Sequence, residues 1–112
     1  MLIVIVAIAV SQSARAAEKV EFNRDIRPIL SDYCFACHGP DKKHRKADLR
    51  LDQEDGVSDA FGESSLEDNE AWQRLISTDD KKRMPPPKAH KWLNGKQKKL
   101  LAEWIQQGAP YA

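Results

Sequence analysis

Cysteine is scarce in this chain: Cys34 and Cys37 are the only two in 112 residues. A bridge between positions three apart would close a strained ring, so a structural disulfide is the weakest use for them. Long apolar runs are missing too. The longest covers nine residues, 2–10 (LIVIVAIAV), against the roughly 20 needed to cross a bilayer. Charge of one sign is missing as well. Lys and Arg number 18 against 17 Asp and Glu, a formal net charge of +1, and nothing in that balance points to nucleic acid. There is no internal repeat, and no strand–helix–strand alternation surrounds residue 34, which removes the context of a thioredoxin-type redox pair.

What is present begins at the N-terminus. The apolar run at 2–10 is followed by Ser11, Gln12 and Ser13, then by Ala14, Arg15, Ala16 and Ala17. A short h-region ahead of an Ala-x-Ala site predicts a cleaved secretory signal over residues 1–17, although no Lys or Arg follows Met1 to form the usual basic n-region. The alternative is an uncleaved anchor, disfavoured by the shortness of the run. Cleavage after Ala17 removes Arg15 and leaves 95 of the 112 residues, with 17 basic and 17 acidic side chains. That is one small domain, 18–112, exported to the periplasm or beyond, with no membrane span once the signal is gone. A domain of this size buries only a marginal core by itself.

The most informative stretch is Cys34, Phe35, Ala36, Cys37, His38. Two cysteines three apart with a histidine directly after the second form the attachment signature of c-type haem. On a helical turn, positions i, i+3 and i+4 share a face. Two thioethers to the haem vinyl groups and an imidazole under the iron are therefore available from one turn. A structural zinc site is the rival, with Cys34, Cys37, His38 and either His44 or His90 as its four ligands. The export signal places the motif where covalent haem attachment takes place and so favours haem.

Helical spacing of Phe22, Ile26, Ile29, Leu30 and Tyr33 predicts a first helix over 22–38, with Asn23 as N-cap and Asp25 in its first turn. Pro28 would move its start towards Arg27 or kink it. Residues 41–64 read as irregular, with Leu49 and Leu51 in a short strand at most and Gly56 and Gly62 punctuating a loop. The basic run Lys42, Lys43, Arg45, Lys46 reads as a solvated face; the sharper alternative is a border to the haem edge that steers an acidic redox partner. A second helix is predicted over 65–77, with a Ser65/Asp68 capping box and an apolar stripe of Trp72, Leu75 and Ile76. Residues 78–93 form a loop. The last helix, 94–107, has Asn94 and Gln97 as a capping box, a buried face of Leu100, Leu101, Trp104 and Ile105, and Gly108 as its stop.

An electron-carrying haem needs a second axial ligand besides His38. Met84 is the only methionine beyond Met1, and it is followed by Pro85, Pro86 and Pro87. Prolines fix φ and supply no N–H, so the segment is a stiff strap that lowers the entropy lost when the thioether is held. His90 and His44 are the other candidates. His/Met ligation raises the potential relative to bis-His ligation and leaves no vacant site on the iron. A six-coordinate carrier of single electrons follows, rather than an enzyme.

The stretches FNRDIRPILSDYCFACHGPD at 22–41, KADLRLD at 46–52, RMPPP at 83–87 and LLAEWIQQGAP at 100–110 resemble, in order, the planctomycete-type cytochrome c domain, a secreted relative of class I cytochromes c. The resemblance implies an all-α, cytochrome c-like fold around one covalent haem, with the N- and C-terminal helices crossing. It carries over Cys34 and Cys37 as thioether positions, His38 as proximal ligand and Met84 as distal ligand. Residues 63–70 (ESSLEDNE) depart from the family's Gly-Asp-Pro-rich stretch. Family members are often the first module of larger secreted proteins, so the partner implied is a redox protein or an adjacent domain. The competing readings are an electron-accepting haem module of a larger secreted oxidoreductase and a zinc-binding Cys/His module.

Overall fold

A computed structural model of the chain describes residues 2–5 and 19–112. Of the expected signal segment, only residues 2–5 are described; they are exposed and without regular structure, and the rest of 1–17, with the cleavage site, lies outside the described residues. The architecture is all-α, with no strand among the described residues. A wide π-helical turn, Phe22–Ile26, leads into α1, Arg27–Tyr33; α2 is Glu54–Phe61, α3 is Glu70–Ile76 and α4 is Gly95–Gln106, with a 3₁₀ turn at Pro87–Ala89. No helix among the described residues is long and apolar enough to cross a membrane.

The first helix starts as the apolar pattern predicts but is built differently. The Arg27 N–H donates to the Phe22 carbonyl five residues back, and the regular helix takes over at Arg27 with Pro28 in its first turn. A residue without an N–H fits there because the first turn leaves its donors unpaired. Asn23 is not the N-cap. Glu21 holds that position, and Asp25 supplies the capping acceptor by taking the Glu21 N–H at 2.9 Å. The helix also ends at Tyr33, not at residue 38.

Two further expectations fail. Residues 54–61 form a helix where an irregular loop was expected. Its signal was Val57, Ala60 and Phe61 at i, i+3 and i+4 behind Glu54 and Asp55; Gly56 masked it by resembling loop punctuation. Gly56 is there for another reason: a Cβ would overlap the Arg50 carbonyl oxygen, so only glycine lets the helix lie this close to the preceding segment. The second predicted helix begins at Glu70, and its cap is Asn69 rather than Ser65. Asn69 is buried; its Oδ1 accepts the Trp72 N–H at 2.8 Å, and its Nδ2 donates to the carbonyls of Phe61 (3.2 Å) and Glu63 (2.7 Å). One side chain thereby caps α3 and fastens the end of α2 to it. Ser65 starts only a turn, its carbonyl accepting the Asp68 N–H at 3.1 Å. Leu75 turns inward, but Ile76, the last residue of this two-turn helix, is exposed.

The last helix is as predicted. Asn94 and Gln97 form a reciprocal capping box, each side chain accepting the other's backbone N–H. At its end the Ala109 N–H reaches the Trp104 carbonyl and the Gly108 N–H reaches that of Ile105, both at 2.9 Å, with Gly108 at φ +96°. This is the paired-bond stop that a left-handed residue permits. Its buried face is Leu101, Trp104 and Ile105; Leu100 is only partly buried.

The core forms where α4 meets the Phe22–Ile26 turn. Trp104 is wholly buried, with ring centroids of Phe22 at 5.8 Å and Phe61 at 5.3 Å, and its indole N–H donates to the Pro110 carbonyl at 3.0 Å. Tyr111 closes the end against Phe22 at 4.6 Å. Cys34, Cys37, His38, Met84, Pro85 and Pro86 line a cavity beside this core.

Candidate haem site

Beyond Tyr33 the chain makes one more helical turn of its own. The Leu30 carbonyl accepts from both Cys34 and Phe35, and the His38 N–H then returns to the Cys34 carbonyl at 2.8 Å. The break ends α1 but keeps the i, i+3, i+4 geometry local to the motif. Cys34, Cys37 and His38 accordingly line one and the same cavity, of about 240 Å³, together with Met84 and Pro85. A second cavity of about 470 Å³ adjoins it, sharing Cys34, His38, Leu75 and Met84. Their size falls in the range of small-molecule and cofactor sites.

The walls come from segments that the sequence left unassigned. The Lys46 N–H donates to the Cys37 carbonyl and the Leu51 N–H to the His38 carbonyl, both at 2.7 Å. These bonds lay residues 46–51 along the motif. No strand forms, but alternation still sends Leu49 and Leu51 to the same side, into the larger cavity. Ala60 of α2 and Ala71 and Leu75 of α3 complete an apolar wall.

His38 is oriented for ligation. Its Nδ1 lies 3.2 Å from the Lys46 carbonyl, which can only accept. With the Nδ1 proton donated there, Nε2 carries the free lone pair, the arrangement by which metal-bound histidines are held in one tautomer. Burial pushes the His38 pKa below its ordinary value, opposed by this hydrogen bond, so the imidazole is held neutral. Cys34 and Cys37 are free thiols. Burial among apolar neighbours pushes the Cys34 thiol up to about 12, outweighing the pull of Lys91. A thiol held protonated is unlike the exposed thiolate of a redox switch.

Met84 faces the same space from the opposite segment. Its N–H donates to the Arg74 carbonyl at the end of α3, at 3.0 Å. Pro85 is buried behind it, Pro86 is extended (φ −65°, ψ 155°), and the strap turns back through Pro87–Ala89. Lys91 fastens the returning chain to α1 by donating to the Asp32 carbonyl at 2.6 Å. The structure thus brings Cys34, Cys37, His38 and Met84 to one pair of adjoining cavities.

It does not bring the other histidines there. His44 is exposed and paired with Asp41 at 2.6 Å; His90 is exposed beside Trp92. Neither lines the cavities of the motif, and among the described residues no three His, Cys, Asp or Glu side chains converge to hold a metal ion. The four-ligand zinc arrangement is not assembled. In the basic run, Arg45 is not a solvated residue: it donates to the Gly39 and Pro40 carbonyls and holds the loop after the motif. Lys42, Lys43 and Lys46 are solvated, as read.

The donor set fits a c-type haem: two free cysteines, a tautomer-locked imidazole and a thioether around an apolar-walled space. Residues 34–88 match the family model described as Planctomycete cytochrome C, which supports a cytochrome c domain of that type in this chain. The matched part begins at Cys34 and spans the motif, α2, α3 and the Met84 strap, while α1 and α4 flank it. No curated protein and no solved structure gives a significant match. The match supports a haem-based cytochrome role, and a cytochrome c domain implies a covalent c-type haem.

Proposed function

We propose that this protein is a monohaem c-type cytochrome that passes single electrons outside the cytoplasm, with His38 and Met84 as axial ligands. The observation that carries the reading is the sharing of both cavities by Cys34, His38 and Met84, with Cys37 in the smaller one. When bound, the haem supplies a one-electron ferric–ferrous couple. Cys34 and Cys37 would each add their S–H across a vinyl group and fix the porphyrin without a leaving group. His38 offers Nε2, held in aim by the Lys46 carbonyl. Met84 offers its thioether from a strap whose prolines and Arg74 hydrogen bond limit its motion. Leu49, Leu51 and Leu75 exclude water from the ring. With both axial positions filled by side chains, substrate chemistry at the iron is disfavoured and transfer to a redox protein or an adjoining domain is favoured. The apolar segment at 2–10 and the chemistry of the motif support an extracytoplasmic site.

The test is expression in a host that matures c-type cytochromes. Haem should stay with the polypeptide through acid–acetone extraction, and the spectrum should be low-spin. Release of haem into the solvent would sink the covalent assignment. Met84→Ala should turn the ferric form high-spin or water-ligated; an unchanged spectrum would remove Met84 from the site.

A further inference from the structure

The lining of the larger cavity is mostly apolar. Among its lining residues, Arg74 is the one cation, accompanied by Asp59 and Glu70. The two cavities also define a direction. Cys37 lines only the smaller and Arg74 only the larger, while Cys34, His38, Leu75 and Met84 are common to both. The vinyl-bearing and carboxylate-bearing edges of a haem lie on opposite sides of its ring. A ring tethered at Cys37 would then turn its carboxylates away from the smaller cavity, to the side that Arg74 lines.

We propose that Arg74 binds a haem propionate, an assignment that rests on the haem reading above. Its guanidinium has donors to give. Of its five N–H groups, Nη2 donates to Glu70 at 3.0 Å, and Glu70 is largely exposed, so that pair is a weak competitor. The planar fork suits a carboxylate held by two parallel hydrogen bonds. Asp59 and Glu70 are acceptors and would repel the same carboxylate, which leaves Arg74 as its partner. The position is also fixed: the Arg74 carbonyl receives the Met84 N–H, so one residue would anchor the strap by its backbone and the porphyrin edge by its side chain. A cation there favours the ferrous form, which carries less positive charge.

The experiment compares holoprotein of the wild type with Arg74→Leu, Arg74→Lys and Lys96→Gln, the last an exposed charge that lines neither cavity. The readouts are haem retention, the propionate bending band in resonance Raman spectra, and the reduction potential. Arg74→Leu should keep its covalent haem and low-spin spectrum, move the propionate band, and lower the potential by about tenfold in the equilibrium constant, or about 59 mV. Arg74→Lys should fall between it and the wild type, and decides the matter if the Leu variant yields no holoprotein. Lys96→Gln should leave the band in place. A propionate band unmoved by both Arg74 substitutions would overturn the assignment while leaving the cytochrome reading intact. Wild-type protein that takes up no haem would overturn both.

Discussion

The Phe22–Ile26 turn packed on α4 and the region that holds Cys34, His38 and Met84 are made by different means. On the first, Phe22, Ile26, Leu101, Trp104 and Ile105 bury one another, and each polar atom brought along finds a partner, as the Trp104 indole does at Pro110. On the second, Leu49, Leu51, Ala60, Ala71 and Leu75 line the larger cavity. The difference teaches that one apolar cluster does two jobs: around Trp104 it packs on itself, and Leu51 and Leu75 of the same cluster also line the cavity.

The largest effect expected on this contrast is that of removing the covalent tether. A Cys34→Ala/Cys37→Ala protein should lose its haem, and hydrogen exchange should then speed up at residues 46–51 and 84–90 while amides of α4 stay protected. Uniform loss of protection would break the comparison, because it would mean that the core also depends on the cofactor. Next in size is Trp104→Ala, expected to cost about 3–5 kcal/mol as a large buried cavity and measurable by denaturant unfolding. A loss below ~1 kcal/mol would show that the packing around Trp104 is not the stable part. Asn69→Ala should cost roughly 1–3 kcal/mol by removing a cap and leaving buried carbonyls unpaired, with the α2–α3 junction loosened more than α4.

The smallest effect concerns Asp25. The neighbouring Arg24, aided by the Glu21 N–H, holds its carboxyl below the usual range, against a smaller opposing effect of burial. A depressed carboxylate pKa stabilises the fold above the unfolded value near 4 and loses that contribution as pH falls through the folded value. Asp25→Asn should therefore lower the melting temperature by a few degrees at neutral pH, roughly 0.5–1 kcal/mol, and narrow the gap to wild type in acid. Equal loss at every pH would contradict the assigned cause.

How much of this was legible follows from where each signal lives. The α4 capping box and its Gly108 stop are local, since they are written in residues within four positions of one another, and they were read correctly. Cys34, Cys37 and His38 are local for the same reason. The α2 helix was missed because Gly56 serves a contact with Arg50 that spacing does not reveal. The Asn69 cap was missed because its value lies in carbonyls of the preceding loop and helix end. The long first helix was overextended because the apolar pattern continues past Tyr33, while the backbone breaks there to form a separate turn. The place of Arg74 in the cavity lining could not be foreseen: nothing in QRLIS says that its arginine faces the same space as Cys34.

By itself, then, the sequence determined the chemistry on offer: two thiols and an imidazole on one turn, one thioether on a proline strap, and helices whose ends are set by neighbours. Such choices depend on side-chain type and on spacings of three or four residues, which local geometry converts directly into direction. The tertiary structure decided who meets whom. It laid Lys46 against His38 and so chose the imidazole tautomer. It brought Met84 to the motif through the Arg74 carbonyl, left His44 and His90 outside, and put one arginine in the lining of a mostly apolar cavity. Those outcomes rest on contacts between residues far apart in the chain, whose geometry is set by packing the whole core and not by any one segment.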